Sequence, residues 1–556
     1  MNRRSVFALV AAASLSLVVV LVGCKTPSEY YGLHELGRSR QEIREIEPLP
    51  LQKAEPNQAP AEANEVPPAK LELSLEQSRA LALENNLQLQ ASLISPAIAA
   101  AELSAEEAKF EAAFFANANF SKSDLPFGVL TPVGESGVLV PTIAASQNER
   151  TEVNFGVQMP LRTGGTLTFN VDDSRTRELT DDPNRNVPFY NDTFTASLSQ
   201  PLLRNAGQWV NTYSIRIAAY NRDITDARTR LEVITVLAAL DRVYWRLYAA
   251  RRELELRQQQ YHLAETQLER ARRLVEAGQR PQVEIVRAEA GVAQQLEAII
   301  IAENTLRDRE RELKRTIHKM GLDVQTPTVL IPTTEPDPVR YVLDRPRLVD
   351  LAIENRMELL ELQLLLLEDA STIDFARNQT LPLVTFNYTY GINGTGPTRA
   401  DSLDLLFKND FVDHRLGLQA IIPIGNQAAK SQLRQAIYTR RQRLATQANR
   451  EDLIRLEVLN AVDQAEANWQ RILAARQSSI LNGRLFEAEQ RQFEQGQRTS
   501  TDVLDAQIKF ADAQSSEIRA LADYQISLVD VAYATGTVLG AARVQWQPII
   551  PATNVE

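Results

Sequence analysis

The sequence has a single cysteine, Cys24, in 556 residues, so no intramolecular disulfide can staple the chain. Its four histidines, His34, His262, His318 and His414, are scattered over different segments and form no convergent set of metal ligands. Phosphate-loop, zinc-protease and nucleophile-elbow patterns are missing, so catalysis has no support and no cofactor is expected. After Cys24 no run of 18 apolar residues occurs, which excludes a spanning helix in the remainder. A cationic surplus is also lacking. The net charge is −11 and the pI about 5.3, which argues against a nucleic-acid partner. With glycine scarce and Ala, Leu, Glu, Gln and Arg abundant, the composition points to long helices, interrupted by short runs rich in Thr, Asn, Phe and Val.

The amino terminus sets the compartment. Arg3 and Arg4 precede an apolar stretch, Phe7 to Val22, that is too short for an ordinary spanning helix. It ends in Leu21-Val22-Gly23-Cys24, which resembles the lipobox where bacterial lipoproteins are cleaved and acylated. Acylation accounts for a lone cysteine in an exported protein; the alternative is an uncleaved anchor with a chance cysteine. Lys25 in place of aspartate points to outer-membrane sorting. Residues 1–23 are therefore expected to be a signal peptide. Residues 24–72, with Pro48, Pro50, Pro56, Pro60, Pro67 and Pro68, read as an extended tether.

From Ser74, a candidate N-cap, the chain follows one plan twice. Ala82-Leu83-Glu84-Asn85-Asn86 recurs as Ala352-Ile353-Glu354-Asn355-Arg356, and Gln200-Pro201-Leu202 is echoed by Ile422-Pro423-Ile424. The segment Glu276–Glu289 aligns without a gap with Glu494–Gln507. Each copy reads helix, strands, long helix, glycine turn, helix, with copies at 73–335 and 336–540 and a tail at 541–556.

In the first copy Val233, Leu240, Leu247, Leu254, Tyr261, Leu268 and Val275 fall every seventh residue. That heptad predicts a coiled-coil helix from about Tyr213 to Ala277, on the order of 100 Å long, returning from Gln282 to Ile317. The second copy repeats this from Ala428 to Phe493 and from Ser500 to Ala534. Helices alone fit a non-conducting periplasmic coiled-coil lipoprotein equally well. The strands separate the two readings. Val153, Phe155, Val157 and Met159 alternate with polar neighbours, as do Leu167, Phe169 and Val171 after the turn at Gly164-Gly165. So do Phe194, Ala196 and Leu198, then Val384, Phe386, Tyr388 and Tyr390, then Leu416, Leu418 and Ala420. Apolar-out, polar-in runs closed by turn residues are the pattern of a transmembrane β-barrel; a soluble sandwich alternates in the same way, and the context tips the reading to the barrel. Four to six strands cannot close a conducting barrel and open edges are forbidden in lipid, so several chains must share one. A trimer gives twelve strands, or eighteen if the Thr151–Val171 hairpin joins the wall. Gly391 to Gly396 reads as an extracellular loop. Residues 124–150 and 175–190 stay open between surface loop and disordered insertion.

These features together resemble the TolC family of outer-membrane efflux proteins over nearly all of residues 73–540. They are the lipobox, Leu73-Ser74-Leu75-Glu76 with Asn85-Asn86, the Gln200-Pro201-Leu202-Leu203 strand-to-helix step and the paired glycine turns. The resemblance implies a mixed α/β membrane protein: a homotrimer with a β-barrel in the outer membrane and a coiled-coil tunnel through the periplasm. It implies partners as well, a periplasmic adaptor and an inner-membrane pump that supplies energy. Gly278 and Gly496 would lie in the tip turns that meet the adaptor. Asp502 and Asp505 match the family's Asp-Val-Leu-Asp pair, which forms acidic rings at the closed constriction; the competing role for Asp502 is to favour its helix N-terminus. Arg498 matches the gate arginine, and Glu284 takes the place of its acidic partner, usually aspartate, so a salt link within or between protomers is expected. Pro281 stands where a small residue is common, and Arg287 lies opposite Asp505, so the first copy adds no second acidic ring. Drug, metal or small-molecule efflux and protein secretion both fit such a duct. An adaptor protein does not, because adaptors carry a single helical hairpin with a lipoyl-like module.

Overall fold

The computed structural model describes residues 69–133, 138–179 and 187–546. The signal peptide, Cys24, nearly all of the tether and most of the tail lie outside the described residues.

In chain order the elements are β1 (Lys70–Leu73), α1 (Leu75–Asn85), α2 (Leu87–Ala108), β2 (Ala113–Val133), β3 (Val138–Pro160), β4 (Thr166–Leu179), β5 (Phe189–Pro201), α3 (Gln208–Asn211), α4 (Tyr213–Glu276) and α5 (Val283–Ile317). The second half follows with β6 (Val329–Pro332), α6 (Arg345–Asn355), α7 (Met357–Gln379), β7 (Leu383–Gly396), α8 (Arg399–Lys408), β8 (Val412–Ile421), α9 (Gln427–Glu494), α10 (Ser500–Ala534) and α11 (Val538–Ala541). The four long helices therefore begin and end within about a residue of the heptad reading. At 1.5 Å per residue the 64 residues of α4 span about 96 Å and the 68 of α9 about 102 Å.

Ser74 caps α1 through a full capping box with Gln77, which satisfies one backbone donor at each end of the box. The upper heptad of α4 is buried as expected: Val233, Leu237, Leu240, Tyr244 and Leu247 are all core. Below Leu254 the seam turns. Leu256, Gln260, Ala264 and Ala271 are the buried positions, while Tyr261, Leu268 and Val275 are only half-buried. Small residues there let α10 approach closely, and Gln507, buried, donates its amide N–H to the Gln260 carbonyl at 3.1 Å. At mid-height, β1 and β6 pair in parallel and cover a core built from Leu73, Leu240, Leu247, Leu313, Ile317 and Leu330.

Among the described residues the other six strands form one antiparallel sheet in the order β2-β3-β4-β5-β7-β8. Its two faces differ in chemistry from edge to edge. Ala116, Phe155, Val171, Phe194, Ile392 and Val412 follow one another across the sheet in register on one face. Asn117, Asn154, Asp172, Thr193 and Asn393 do so on the other. On this face Phe155 in β3 is 42% and Phe169 in β4 39% exposed, Phe114, Leu416 and Leu418 on the edge strands 69%, 73% and 67%, and α8 lies over the end at Gly394. Monomeric soluble proteins rarely expose an apolar face of this kind.

Three sequence expectations change here. Residues 124–133 and 138–150 are neither loop nor disordered insertion but the paired continuation of β2 and β3. Residues 175–179 likewise continue β4 against β3. Gly391 to Gly396 belongs to β7 rather than to a loop. Gly394 and Gly396 are explained by α8, which lies across them: a Cβ on Gly394 would sit 2.1 Å from the Ser402 carbonyl oxygen.

Candidate functional site at the helical tips

Opposite the sheet the long helices reverse in two turns of the same build. In the first, Gly278 has φ +70°, its N–H donates to Val275 O at 2.9 Å and Gln279 N–H donates to Leu274 O at 2.9 Å. In the second, Gly496 has φ +79°, with Gly496 N–H to Phe493 O at 3.0 Å and Gln497 N–H to Gln492 O at 2.9 Å. Both are Schellman closures, in which a left-handed residue lets the chain satisfy the last helical carbonyls. The sequence places both glycines where the backbone needs them.

The returning helices start differently. α10 opens on Thr499, whose backbone N–H and hydroxyl both donate to Asp502 Oδ2 at 2.9 Å. These bonds, the backbone one first, hold the Asp502 carboxyl below the usual aspartate range. Asp502 is thus a helix cap in the protomer, whatever else it does. Asp505 lies one turn further on the same flank and is exposed. α5 has no side-chain cap of its own.

Glu284, in the first turn of α5, is 4% exposed. Its carboxylate accepts from Arg287 Nη1 at 2.8 Å and from the Ser500 backbone N–H at 3.2 Å, and also from the Ser500 hydroxyl. A carboxylate from one hairpin therefore closes the positive N-terminus of a helix in the other. Arg498 does not reach it within the protomer: its Nε donates to Gln492 Oε1 at 3.0 Å and lies 3.2 Å from Glu489. The physical reason is proximity, since Arg287 sits on the next turn of the same helix and the α10 donors need an acceptor.

Sequence reading missed Arg280, the counterpart of Arg498. Its guanidinium donates to Phe493 O at 3.2 Å and Arg498 O at 3.4 Å, and lies 5.0 Å from the Phe493 ring centroid. A cation at the C-terminal end of α9 complements the helix dipole, and the pair ties the two tips together. The repeat alignment marks the position, but only three dimensions show which arginine turns inward. Behind it Phe486, Phe493, Val503 and Ala506 form a small core.

Among the described residues no helix is long and apolar enough to cross a membrane. The apolar, uncovered sheet is the element suited to lipid.

A model of the outer membrane efflux protein family matches residues 163–317 and 348–537, more than half of the chain and one stretch in each repeat. The fold is similar to that of the outer-membrane channel OprN (13% identity, 83% of this chain and 90% of that one, TM-score 0.61). It is similar also to the CmeC outer membrane channel of Campylobacter jejuni (14%, 83% and 85%, 0.59) and to the open MtrE outer membrane channel of Neisseria gonorrhoeae (16%, 84% and 89%, 0.57). Comparison with curated protein sequences gives no match. At these identities the likeness is one of fold: a helical tunnel joined to a β-barrel. With the family model found in both repeats and its fold in the whole, the chain belongs to the outer membrane efflux protein family.

Proposed function

We propose that three copies of this chain close into a passive duct through the outer membrane and periplasm, gated at the helical tips, within a tripartite efflux or secretion system. The observation that carries this reading is that the protomer ends in matching free edges at both levels. In the sheet the free edges are β2, from the first repeat, and β8, from the second. In the helical layer α5 and α9 flank the α4–α10 pair. Each shows an unpartnered apolar stripe: Val286, Leu296 and Ile300 on α5, Leu473, Ile480 and Leu481 on α9. Both levels call for the second repeat of one copy against the first repeat of the next, which is a ring. A structural coiled coil has no use for an uncovered apolar sheet.

In this duct, Cys24 carries the acyl anchor and the tether leads from it to the first repeat. The Gly278 and Gly496 turns face the periplasmic adaptor. Asp502 and Asp505 from three copies surround one axis, and that many carboxylates draw in cations and resist anions until the ring widens. Glu284 holds the start of α10, and with it Asp502, in place. Arg498, on the outside of its own tip, reaches a neighbouring copy by giving up Gln492 and Glu489. Energy comes from the inner-membrane partner.

Cysteines at Ile300 and Ile480, at similar heights above the tips, test the ring. Oxidation of the detergent-extracted double variant should produce a covalent trimer, while each single variant stays monomeric on a denaturing gel. A monomer that needs no detergent, with no linked product, would return the chain to the structural reading.

A further inference from the structure

The two repeats supply unequal numbers of strands: β2 to β5 come from the first and only β7 and β8 from the second. We infer that all six stand in the barrel wall, giving three times six, or eighteen strands, closed by pairing β8 of one copy with β2 of the next. This rests on the trimeric duct proposed above.

A wall of four strands per copy, twelve in all, would need β4 to offer a free edge to β8 of its neighbour. It has none: β4 is paired along all 14 of its residues with β3, and along its other edge with β5. Among the described residues only β2 and β8 end the sheet. Their directions also fit, because β2 leaves α2 while β8 runs back towards α9, so the new pair is antiparallel like every other in the sheet.

The added strands share the membrane-facing chemistry. The apolar row through Ala116, Phe155 and Val171 continues without a break to Ile392 and Val412. The turn between β3 and β4 is fastened at the junction where the other strands meet the helices. Gly207 N–H donates to Thr163 O at 3.0 Å, and Gln200 exchanges hydrogen bonds with Thr163 at 2.9 and 3.1 Å. Gly164 lies so close that a Cβ would be 2.2 Å from Asn205 O. The hairpin is thus seated at the base of the wall rather than hanging outside it. The family match agrees in position: in the second repeat it runs through both strands, whereas in the first it begins only at residue 163, after β3.

Barrel diameter grows with strand number, and at ordinary spacing and tilt eighteen strands give about 36 Å between backbones against about 24 Å for twelve. The outer-membrane section is then a wide vestibule, and discrimination between solutes falls to the tips. Among the described residues, 138–146 of β3 pair with β2, and the described part of β4 ends at Leu179 opposite Gln147.

Paired cysteines distinguish the walls. Leu416 in β8 is combined with Phe114, Ala116 or Ala118 in β2, and separately with Leu167 or Val171 in β4. We expect a reducible covalent trimer from at least one β8–β2 pair and none from β8–β4. Linkage through β4 alone would overturn the eighteen-strand wall. Counting strands in an end-on cryo-EM view of the trimer in nanodiscs decides independently of cysteine geometry: eighteen supports the inference and twelve refutes it. The Ile300/Ile480 link in the same preparation reports assembly by itself, so loss of the trimer reading is not confused with a different wall.

Discussion

The two halves of the chain are alike where the backbone turns and unlike where function would be placed. Their tips close by the same hydrogen bonds around Gly278 and Gly496. Beyond the turns they diverge. The second half starts α10 on a complete capping box carrying Asp502, while the first starts α5 without a side-chain cap and lends Glu284 to its neighbour. At the other end the first half carries four strands, the second two strands and the helix α8. In the protomer one half supplies the Glu284 brace and the larger share of strands, and the other carries Asp502 and Asp505. What the duplicated fold conserves is geometry, and what it releases is side-chain role.

The largest effect should come from breaking the bracing. Glu284→Ala leaves the half-buried Ser500 N–H and Arg287 without their acceptor, at a cost of about 2 kcal/mol. Hydrogen exchange should accelerate at residues 498–506 of the second half as much as at 281–290 of the first. Acceleration confined to the first half would show that the halves are not coupled in this way.

Next come the glycines under α8. Gly394→Ala must move the Ser402 backbone and is expected to cost about 1–3 kcal/mol, seen as a lower temperature for dissociation of the trimer on gels. Gly417→Ala in β8, where the added carbon meets nothing within 4 Å, should change it little. Equal effects would contradict the seating of α8 on β7.

The tip turns should respond alike. Gly278→Ala and Gly496→Ala each force a side chain into the left-handed region, at about 1–2 kcal/mol, and a Cβ at either site meets no crowding. Local exchange protection should fall by a similar factor in both. A strongly unequal loss would mean that one turn has a role the shared geometry does not explain.

The smallest effect is one of pH. Burial pushes the Glu310 carboxyl up, with the Leu330 N–H, Lys314 and Arg251 offsetting part of the penalty. A carboxyl raised in the folded state contributes stability that is full below its unfolded pKa and is lost as pH rises through the folded value. Protection around β6 should therefore increase as pH falls from about 7 towards 4, and Glu310→Gln should flatten the slope. Asp502 is shifted the opposite way, so its cap is present above the unfolded aspartate pKa and is lost only as pH falls through the lower folded value. The α10 start should then be insensitive to pH between about 5 and 8.

Much of this architecture is legible in the residues. Heptads and turn glycines are local signals, so α4, α5, α9 and α10 are placed almost to the residue, and Ser74 is found as a cap. Five alternating runs mark five of the six strands of the large sheet. β2 escapes because Phe115 breaks the polar face opposite Phe114, Ala116 and Ala118, and small alanines weaken the contrast. β7 is cut short because Gly391, Gly394 and Gly396 look like a loop until α8 is laid over the last two. The parallel β1–β6 pair joins residues some 260 apart by the register Lys70 to Val329, which no local pattern encodes. At the tip the residue types are legible and the partners are not. Glu284 and Arg498 carry opposite charge on the two facing tips, yet each has a nearer partner in the protomer, Arg287 and Ser500 for one and Gln492 and Glu489 for the other.

The most direct test of the duct itself is planar-bilayer conductance of the purified trimer beside an Asp502→Asn/Asp505→Asn variant, chosen because asparagine keeps the acceptor that caps α10. The account predicts a small, cation-favouring conductance in the native protein and reduced cation preference or larger conductance in the variant. A correctly assembled, membrane-inserted trimer that passes no current in either form would contradict it.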